Sequence, residues 1–251
     1  MKNILNKKLI QRYSRQIILK DVGPIGQKKI INSKVLVIGA GGLGCPVIDY
    51  LSRAGVGNIG VVDNDKVNIS NIHRQSLYNS RDVGEFKVNS VKEKIKLINP
   101  QVKIKTFKER ISKKNIEKIF KSYDFIVDGS DNFKTKFLLN KYCLYQKKIL
   151  IVGAISKMDG HIFTFDFKNK NDPCLKCFYQ TEPSDDILNC EYEGILGPVA
   201  GVVGNIQAIE VLKKILKIGD KSSKKILILD LSKLDFRRVE FKKKINCICK
   251  K

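Results

Sequence analysis

The residues of this 251-residue chain that could do chemistry form two groups, a glycine loop with charged residues downstream of it and a set of paired cysteines. Gly39-x-Gly41-x-x-Gly44 follows the apolar, β-branched run 34–38 and precedes an amphipathic segment, 45–54. In that context the glycines let backbone N–H groups approach a phosphate at a helix N-terminus. Asp63 closes the next apolar run, about 20 residues on, where an acid that holds a ribose belongs. The same glycines would also serve a tight strand–helix turn that binds nothing. If a nucleotide binds, NAD is the default for this spacing. Three features favour a triphosphate instead. Asn71-Ile72-His73-Arg74-Gln75 brings an amide and an arginine just past the second strand, Lys87 opens the next helix, and Asp131 stands at the carboxyl end of the fourth strand. Two cations and a carboxylate able to hold a hydrated Mg2+ suit a phosphate chain better than a hydride carrier. An NAD-dependent oxidoreductase stays the rival class; it would need a hydride-transfer acid or base, and neither histidine, His73 or His161, offers one convincingly.

The chain has seven cysteines, an odd number not spaced as a disulfide framework. Cys174-x-x-Cys177 sits in a loop and Cys247-x-Cys249 lies near the end. Four thiolates from two short clusters predict a closed, structural Zn2+ site. The tighter Cys-x-Cys spacing strains a chelating turn, and four free thiols are the alternative. Cys190 stands apart in a loop rich in Glu, Asp and Asn; its acidic neighbours Glu191 and Glu193 work against a reactive thiolate. Cys45 and Cys143, in apolar helical settings, read as core thiols.

The elements that must position these groups alternate between strand and helix. Helical, polar sequence covers 7–32 with a break at Gly23-Pro24. Strands are expected at 34–38, 58–62, 102–107, 125–127 and 149–153, and helices at 45–54, 87–98, 113–121 and 133–146. Strand–helix alternation means a parallel sheet covered on both faces. Past residue 155 the pattern changes: strands at 161–167, 225–231 and 237–241 lack helical crossovers, and a helix covers 198–217. The expected fold is α/β and Rossmann-like, a mostly parallel sheet with helices on both faces, extended by antiparallel strands in the C-terminal half. No linker divides the chain, so 1–251 reads as one domain, 1–155 being its nucleotide-binding half. Gly201 and Gly204 are expected to allow close packing of the last helix against the sheet or against the carrier's tail.

Net charge is +23, with 48 Lys+Arg against 25 Asp+Glu. Arginine is sparse, lysine is scattered, and no basic stripe is interleaved with aromatics, so the surplus reads as solvated surface and not as a nucleic-acid face. Such a surface would still steer an acidic protein partner. No apolar run of about 18 residues predicts a membrane span. The start lacks a signal-peptide core, and a cytoplasmic location is expected.

Taken together, these stretches resemble the ThiF/MoeB/HesA family, the bacterial relatives of ubiquitin-activating enzymes. The matching segments are Arg12-Tyr13-Ser14-Arg15-Gln16, the Gly39–Gly44 loop, Asp63-x-Asp65, Ser70 to Gln75, Lys87, Asn99-Pro100 and Asp128-Gly129-Ser130-Asp131-Asn132. Pro173 to Cys177, Cys190 and Gly197-Pro198-Val199-x-Gly201 extend the match to almost the whole chain. The resemblance implies an adenylyltransferase that uses Mg-ATP to activate the C-terminal glycine of a ubiquitin-like sulfur carrier protein ending in Gly-Gly. It implies that Asp63 holds the ribose, that Gly39, Gly41, Gly42 and Gly44 pass under or over the nucleotide, and that Asn71, Arg74 and Lys87 bind phosphates. Asp131 would hold Mg2+, with Asp65, Ser70, Gln75 and Asn132 completing the nucleotide site. It further implies a homodimer in which Arg15 reaches the neighbouring subunit's site, and a Zn2+ held by Cys174, Cys177, Cys247 and Cys249. The half 156–251 would bind the carrier, and Cys190 could link covalently to it. The RYSRQ segment and the Cys190 to Gly-Pro-Val stretch look closer to the thiamine (ThiS-type carrier) branch than to the molybdopterin (MoaD-type carrier) branch. No rhodanese-like extension follows residue 251, so a separate sulfur donor protein is expected, and the loop 178–195 is expected to be mobile.

Overall fold

A computed structural model describes residues 5–179, 181–183, 194–219 and 222–250. In chain order the helices are α1 (Lys7–Ile17), α2 (Gly23–Asn32), α3 (Gly44–Ala54), α4 (Lys87–Ile98), α5 (Ile116–Phe120), α6 (Phe133–Tyr145), α7 (Leu175–Phe178) and α8 (Gly197–Leu216). The strands are β1 (Lys34–Ile38), β2 (Asn58–Val62), β3 (Lys103–Phe107), β4 (Phe125–Asp128), β5 (Ile149–Ser156), β6 (Asp159–Asp166), β7 (Lys225–Asp230) and β8 (Asp235–Glu240).

All eight strands form one sheet in the order β3-β2-β1-β4-β5-β6-β7-β8. The first five are parallel to their neighbours, and β5 to β8 are antiparallel. This is the expected α/β architecture with its antiparallel extension. The chain moves outward from β1 to β3 and then returns to place β4 on the other side of β1. Strand order reverses there, so a crevice opens beyond the carboxyl ends of β1 and β4, where ligands of open α/β sheets bind.

The core follows from the apolar strands. Val35, Leu36, Val37, Ile59, Val61, Ile126 and Val127 are buried, as are Ile48 and Leu51 of α3 and Val203 and Val211 of α8. Helix α8 lies against α3 because Gly204 has no side chain: a Cβ there would stand 2.6 Å from the Leu43 carbonyl oxygen and 2.5 Å from Pro46. Gly201 does not pack against the sheet, since a Cβ built on it meets nothing within 4 Å. The helix interruption also shifts. Residues 18–22 separate α1 from α2, and Gly23-Pro24 opens α2 because proline's fixed φ and missing N–H fit a first helical turn. Cys45 and Cys143 are core thiols as expected, and burial pushes Cys45 up to about 12. No described helix is long and apolar enough to cross a membrane.

Candidate functional site

A cleft of about 680 Å3 occupies the crevice. Its walls bring together Gly39, Gly41, Gly42, Asp63, Asp65, Ser70, Asn71, Arg74, Gln75, Lys87, Asp131 and Asn132, twelve of the residues the sequence singled out. Gly44 is not among the lining residues. It starts α3, and a Cβ there would fall 1.9 Å from the Gly39 carbonyl oxygen, so its role is to let the helix close onto the glycine loop.

Asp63 anchors that loop. Its Oδ2 accepts from the Ala40 N–H at 2.7 Å and its Oδ1 from the Asp65 N–H at 2.8 Å. Burial raises its pKa above the ordinary aspartate value, and the Lys87 ammonium opposes the rise. The segment after β2 is ordered by reciprocal Asn caps. Asn68 Oδ1 accepts from the Ser70 N–H at 2.9 Å, and Asn71 Oδ1 from the Asn68 N–H at 3.1 Å. Arg74 is leashed to this segment: Nη1 donates to the Ser70 carbonyl at 2.8 Å and lies 2.8 Å from His73 Nε2. No ion pair is recorded for Arg74 among the described residues, so its guanidinium charge is available to an anion. Lys87, at the start of α4, pairs with Asp65 at 2.9 Å.

Asp131 and Asn132 come from the β4–α6 turn. Asn132 Oδ1 accepts from the Thr135 N–H at 2.8 Å and so caps α6. Its Nδ2 donates to Asp131 Oδ1 at 3.3 Å. The exposed Asp131 is a carboxylate on a helix N-terminal turn, facing two cations across one cleft. Gln75 is 4% exposed, and its Oε1 has no partner among the described residues. Two cations, a helix N-terminus, an exposed carboxylate and an orphaned buried acceptor fit a polyphosphate with a hard divalent cation.

Three residues of this region were not read as functional from the sequence. Glu109 and Arg110 follow β3 and form the cleft wall beyond Asp63; the signal for them is that the Asp63 N–H donates to Phe107, which puts the end of β3 beside the acid. Lys136 lies beneath the β4–α6 turn, buried. Arg15 lies on α1, exposed, and does not line this chain's own cleft.

The four clustered cysteines converge. The Sγ atoms of Cys174, Cys177, Cys247 and Cys249 all lie within 4.8 Å of one another, with Cys174–Cys247 at 3.5 Å and Cys177–Cys249 at 3.4 Å. The Cys-x-Cys spacing therefore does not keep the tail away from the loop. Burial, reinforced by Cys177 and Cys247, pushes the Cys174 thiol up to about 12. Asn140 supports the cluster from α6: its Oδ1 accepts from the Leu175 N–H at 2.9 Å. Its fully buried Nδ2 lacks a hydrogen bond of normal geometry, yet the amide acts to lower the Cys174 pKa. A buried donor awaiting a thiolate and four sulfurs at near-contact separation fit a tetrahedral Zn2+. Cys190 lies outside the described residues, as does most of the 178–195 loop, so the expectations for both are without structural counterpart.

Residues 13–250 match the ThiF family. The chain is 38% identical over 245 residues to the sulfur carrier protein adenylyltransferase of Thermus thermophilus, covering 96% of this chain and 90% of that protein. It is 40% identical over 245 residues to the adenylyltransferase and sulfurtransferase MOCS3 of Drosophila virilis, covering 97% of this chain and 54% of that protein. It is 38% identical over 236 residues to the probable molybdopterin-synthase adenylyltransferase of Gracilaria tenuistipitata var. liui, covering 94% and 66%. The chain thus spans about half the length of the MOCS3 proteins it matches. Among solved structures, E. coli MccB with MccA-N7isoASN superposes with a TM-score of 0.84 at 22% identity, covering 98% of this chain and 76% of that one; at that identity the likeness speaks for the fold.

Proposed function

The chain belongs to the ThiF family, and from that premise we propose that it adenylates the C-terminal glycine of a ubiquitin-like sulfur carrier protein. One observation carries this reading: Asp63, Arg74, Lys87 and Asp131 converge with the glycine loop on one cleft at the point where strand order reverses. In this reaction a carboxylate oxygen of the carrier bonds to the α-phosphorus of ATP. The bond from that phosphorus to the bridging oxygen breaks, and pyrophosphate leaves with the electron pair. The carboxylate is already ionised at neutral pH, so no general base is needed, in keeping with a cleft whose described lining includes no histidine.

The difficulty is electrostatic, because two anions must meet. Arg74 and Lys87 reduce the repulsion and stabilise charge that spreads over the phosphate oxygens. Asp63 accepts from the ribose, Gly42 leaves room above the nucleotide, and Asn71 and Ser70 hydrogen-bond phosphates from a segment their own caps keep rigid. Asp131 would hold Mg2+, which supplies further charge neutralisation when bound. Zn2+ held by Cys174, Cys177, Cys247 and Cys249 would tie the chain's last residues to the 174–177 loop and stay outside the chemistry. Arg15 serves a second copy of the chain in a homodimer. The exposed Ile18 (71%), at the end of α1, and Ile25 (72%), in α2, support such a contact.

The carrier branch has two readings. The sequence favours a ThiS-type, thiamine-forming carrier, whereas one relative is named for molybdopterin synthase, which favours a MoaD-type carrier. ATP–pyrophosphate exchange with both carriers side by side is the test. Exchange that needs a carrier ending in Gly-Gly and disappears in Asp131→Ala supports the reading and picks the branch; no exchange with either carrier, or NAD-linked absorbance change instead, defeats it.

A further inference from the structure

The turn that carries Asp131 hangs on a buried ammonium. Lys136 is 1% exposed. Its Nζ donates to Asp128 Oδ2 at 3.1 Å, to the Ser130 carbonyl at 2.7 Å and to the Gly153 carbonyl at 2.7 Å. Three acceptors exhaust the three donors of an ammonium. Asp128, at the end of β4, is fully buried. Its other oxygen, Oδ1, accepts from the Ser130 N–H at 2.9 Å and the Ser130 hydroxyl at 2.5 Å. The Asp128 carbonyl accepts from Gln207 Nε2 of α8 at 2.9 Å. Thus both ends of Ser130, the residue just before Asp131, are bound from below, by Asp128 at its N–H and by Lys136 at its carbonyl. Gly153 ties the same ammonium to β5.

A buried ion pair is weak evidence for stability, since taking two charges out of water costs about what their attraction returns. Apolar residues would fill this space as well. What they could not do is grip the Ser130 carbonyl, the strand end and β5 at one point. Resting on the reading of Asp131 as the Mg2+-holding carboxylate, we propose that Lys136 is a positioning residue: with Asp128 it holds the β4–α6 turn so that Asp131 meets the metal of Mg-ATP. It touches neither nucleotide nor metal and acts through Asp131.

The test separates this role from general support of the fold. ATP binding is titrated calorimetrically, without any carrier, at stepped Mg2+ and in EDTA. The variant Asp128→Asn/Lys136→Met removes both charges, so no lone charge stays buried. Expected is a rise of tenfold or more in the Mg2+ needed for half-maximal binding, with ATP affinity in EDTA within about twofold of wild type. Ser130→Ala removes the hydroxyl that donates to Asp128 and is the milder probe, expected to raise the Mg2+ requirement about threefold. Wild-type Mg2+ dependence in Ser130→Ala overturns the proposal even where the double variant does not fold, and so does an equal loss of affinity with and without Mg2+. Asp131→Ala is the control. If it leaves the Mg2+ dependence unchanged, the reading of Asp131 falls and this proposal with it; if it changes the dependence and the other variants do not, Lys136 alone is overturned.

Discussion

Lys87 and Asp65 form an ion pair at 2.9 Å in which the lysine side chain is 7% exposed and the aspartate 59%. The lysine is set in the cleft wall at the start of α4, while its partner stands in water. A half-exposed pair of this kind contributes about 0–1 kcal/mol, so an incoming phosphate can take the ammonium at small cost. The two variants should therefore separate. Lys87→Met is expected to lower pyrophosphate exchange on the order of 100- to 1000-fold, the usual effect of losing one preorganised donor at a developing charge. Asp65→Asn should change it by less than about tenfold, the equivalent of roughly 1 kcal/mol. Equal losses in the two would show that Asp65 itself contacts the nucleotide.

A second pair ties distant segments together away from the chemistry. Asn99, fully buried, donates through Nδ2 to the Tyr13 hydroxyl at 2.9 Å and to the Ser52 carbonyl at 2.8 Å. Tyr13 is 2% exposed. One amide thus joins α1, α3 and the end of α4, and fixes the helix that presents Arg15. Asn99→Leu removes both bonds and strips the buried Tyr13 hydroxyl of its donor, while the Ser52 carbonyl keeps the Gly55 N–H; it should cost about 1–3 kcal/mol, lowering the melting temperature by roughly 2–10 °C in a chain of this size. Tyr13→Phe keeps the ring and loses one hydrogen bond, about 1 kcal/mol. Thermal melts followed by circular dichroism compare them; a Tyr13→Phe variant that melts well below Asn99→Leu would contradict this assignment.

These two pairs also mark how far the sequence could be read. Runs such as 34–38 and 58–62 are legible as strands because β-branched residues are bounded by turn formers, and the strand–helix alternation gives the parallel half of the sheet. Asp63, Arg74, Lys87 and Asp131 are legible because each falls at a strand end or helix start, and strand ends share one edge. Tyr13 and Asn99 are recognisable as part of a family pattern, but 86 residues of chain hide that they touch. Lys136 is harder still, one among 48 basic residues. Its signal was position: with Phe133, Leu139, Asn140 and Cys143 it lies on the buried stripe of α6, where a solvated lysine has no place. Gly201 and Gly204 could not be told apart in sequence: Gly204 is packed on Pro46 and Leu43, whereas Gly201 faces open space, because residues three apart on a helix do not always share its contact face.

His161 gives the stability a pH dependence of known sign. Burial lowers its pKa below the ordinary value, with Asp159 opposing. The unfolded chain therefore holds a proton on this residue that the folded chain refuses, in the window between the unfolded pKa, about 6.5, and the lower folded one. Stability from this group is full above that window and falls as pH drops through it. Urea denaturation of wild type and His161→Gln at pH 7.5 and pH 5.5 reads the effect as a difference, so other titrating groups cancel. The wild type should lose stability relative to the variant on acidification. A difference independent of pH would remove His161 as its source.

The cysteine cluster predicts what metal removal does. Cys174–Cys247 and Cys177–Cys249 bring together residues 73 and 72 apart in the chain, so a metal bound there closes a long loop and holds the tail after β8 against the sheet. The free thiols offer little substitute, since burial and mutual repulsion keep Cys174 and Cys249 from ionising without a cation. Structural Zn2+ in small peptides is worth about 10–16 kcal/mol of binding free energy, and recovering a fraction of that makes stripping costly. Protein purified without chelators should carry about one Zn2+ per chain, as four thiolates complete one tetrahedral shell. Chelation or Cys249→Ser should lower the melting temperature on the order of 10 °C. The same treatments should leave pyrophosphate exchange below the new melting point within a few-fold of wild type, because the cluster lines no wall of the cleft. Less than about a tenth of a Zn2+ per chain would return the four cysteines to free thiols, and exchange lost in proportion to the metal would move them from structure into the chemistry.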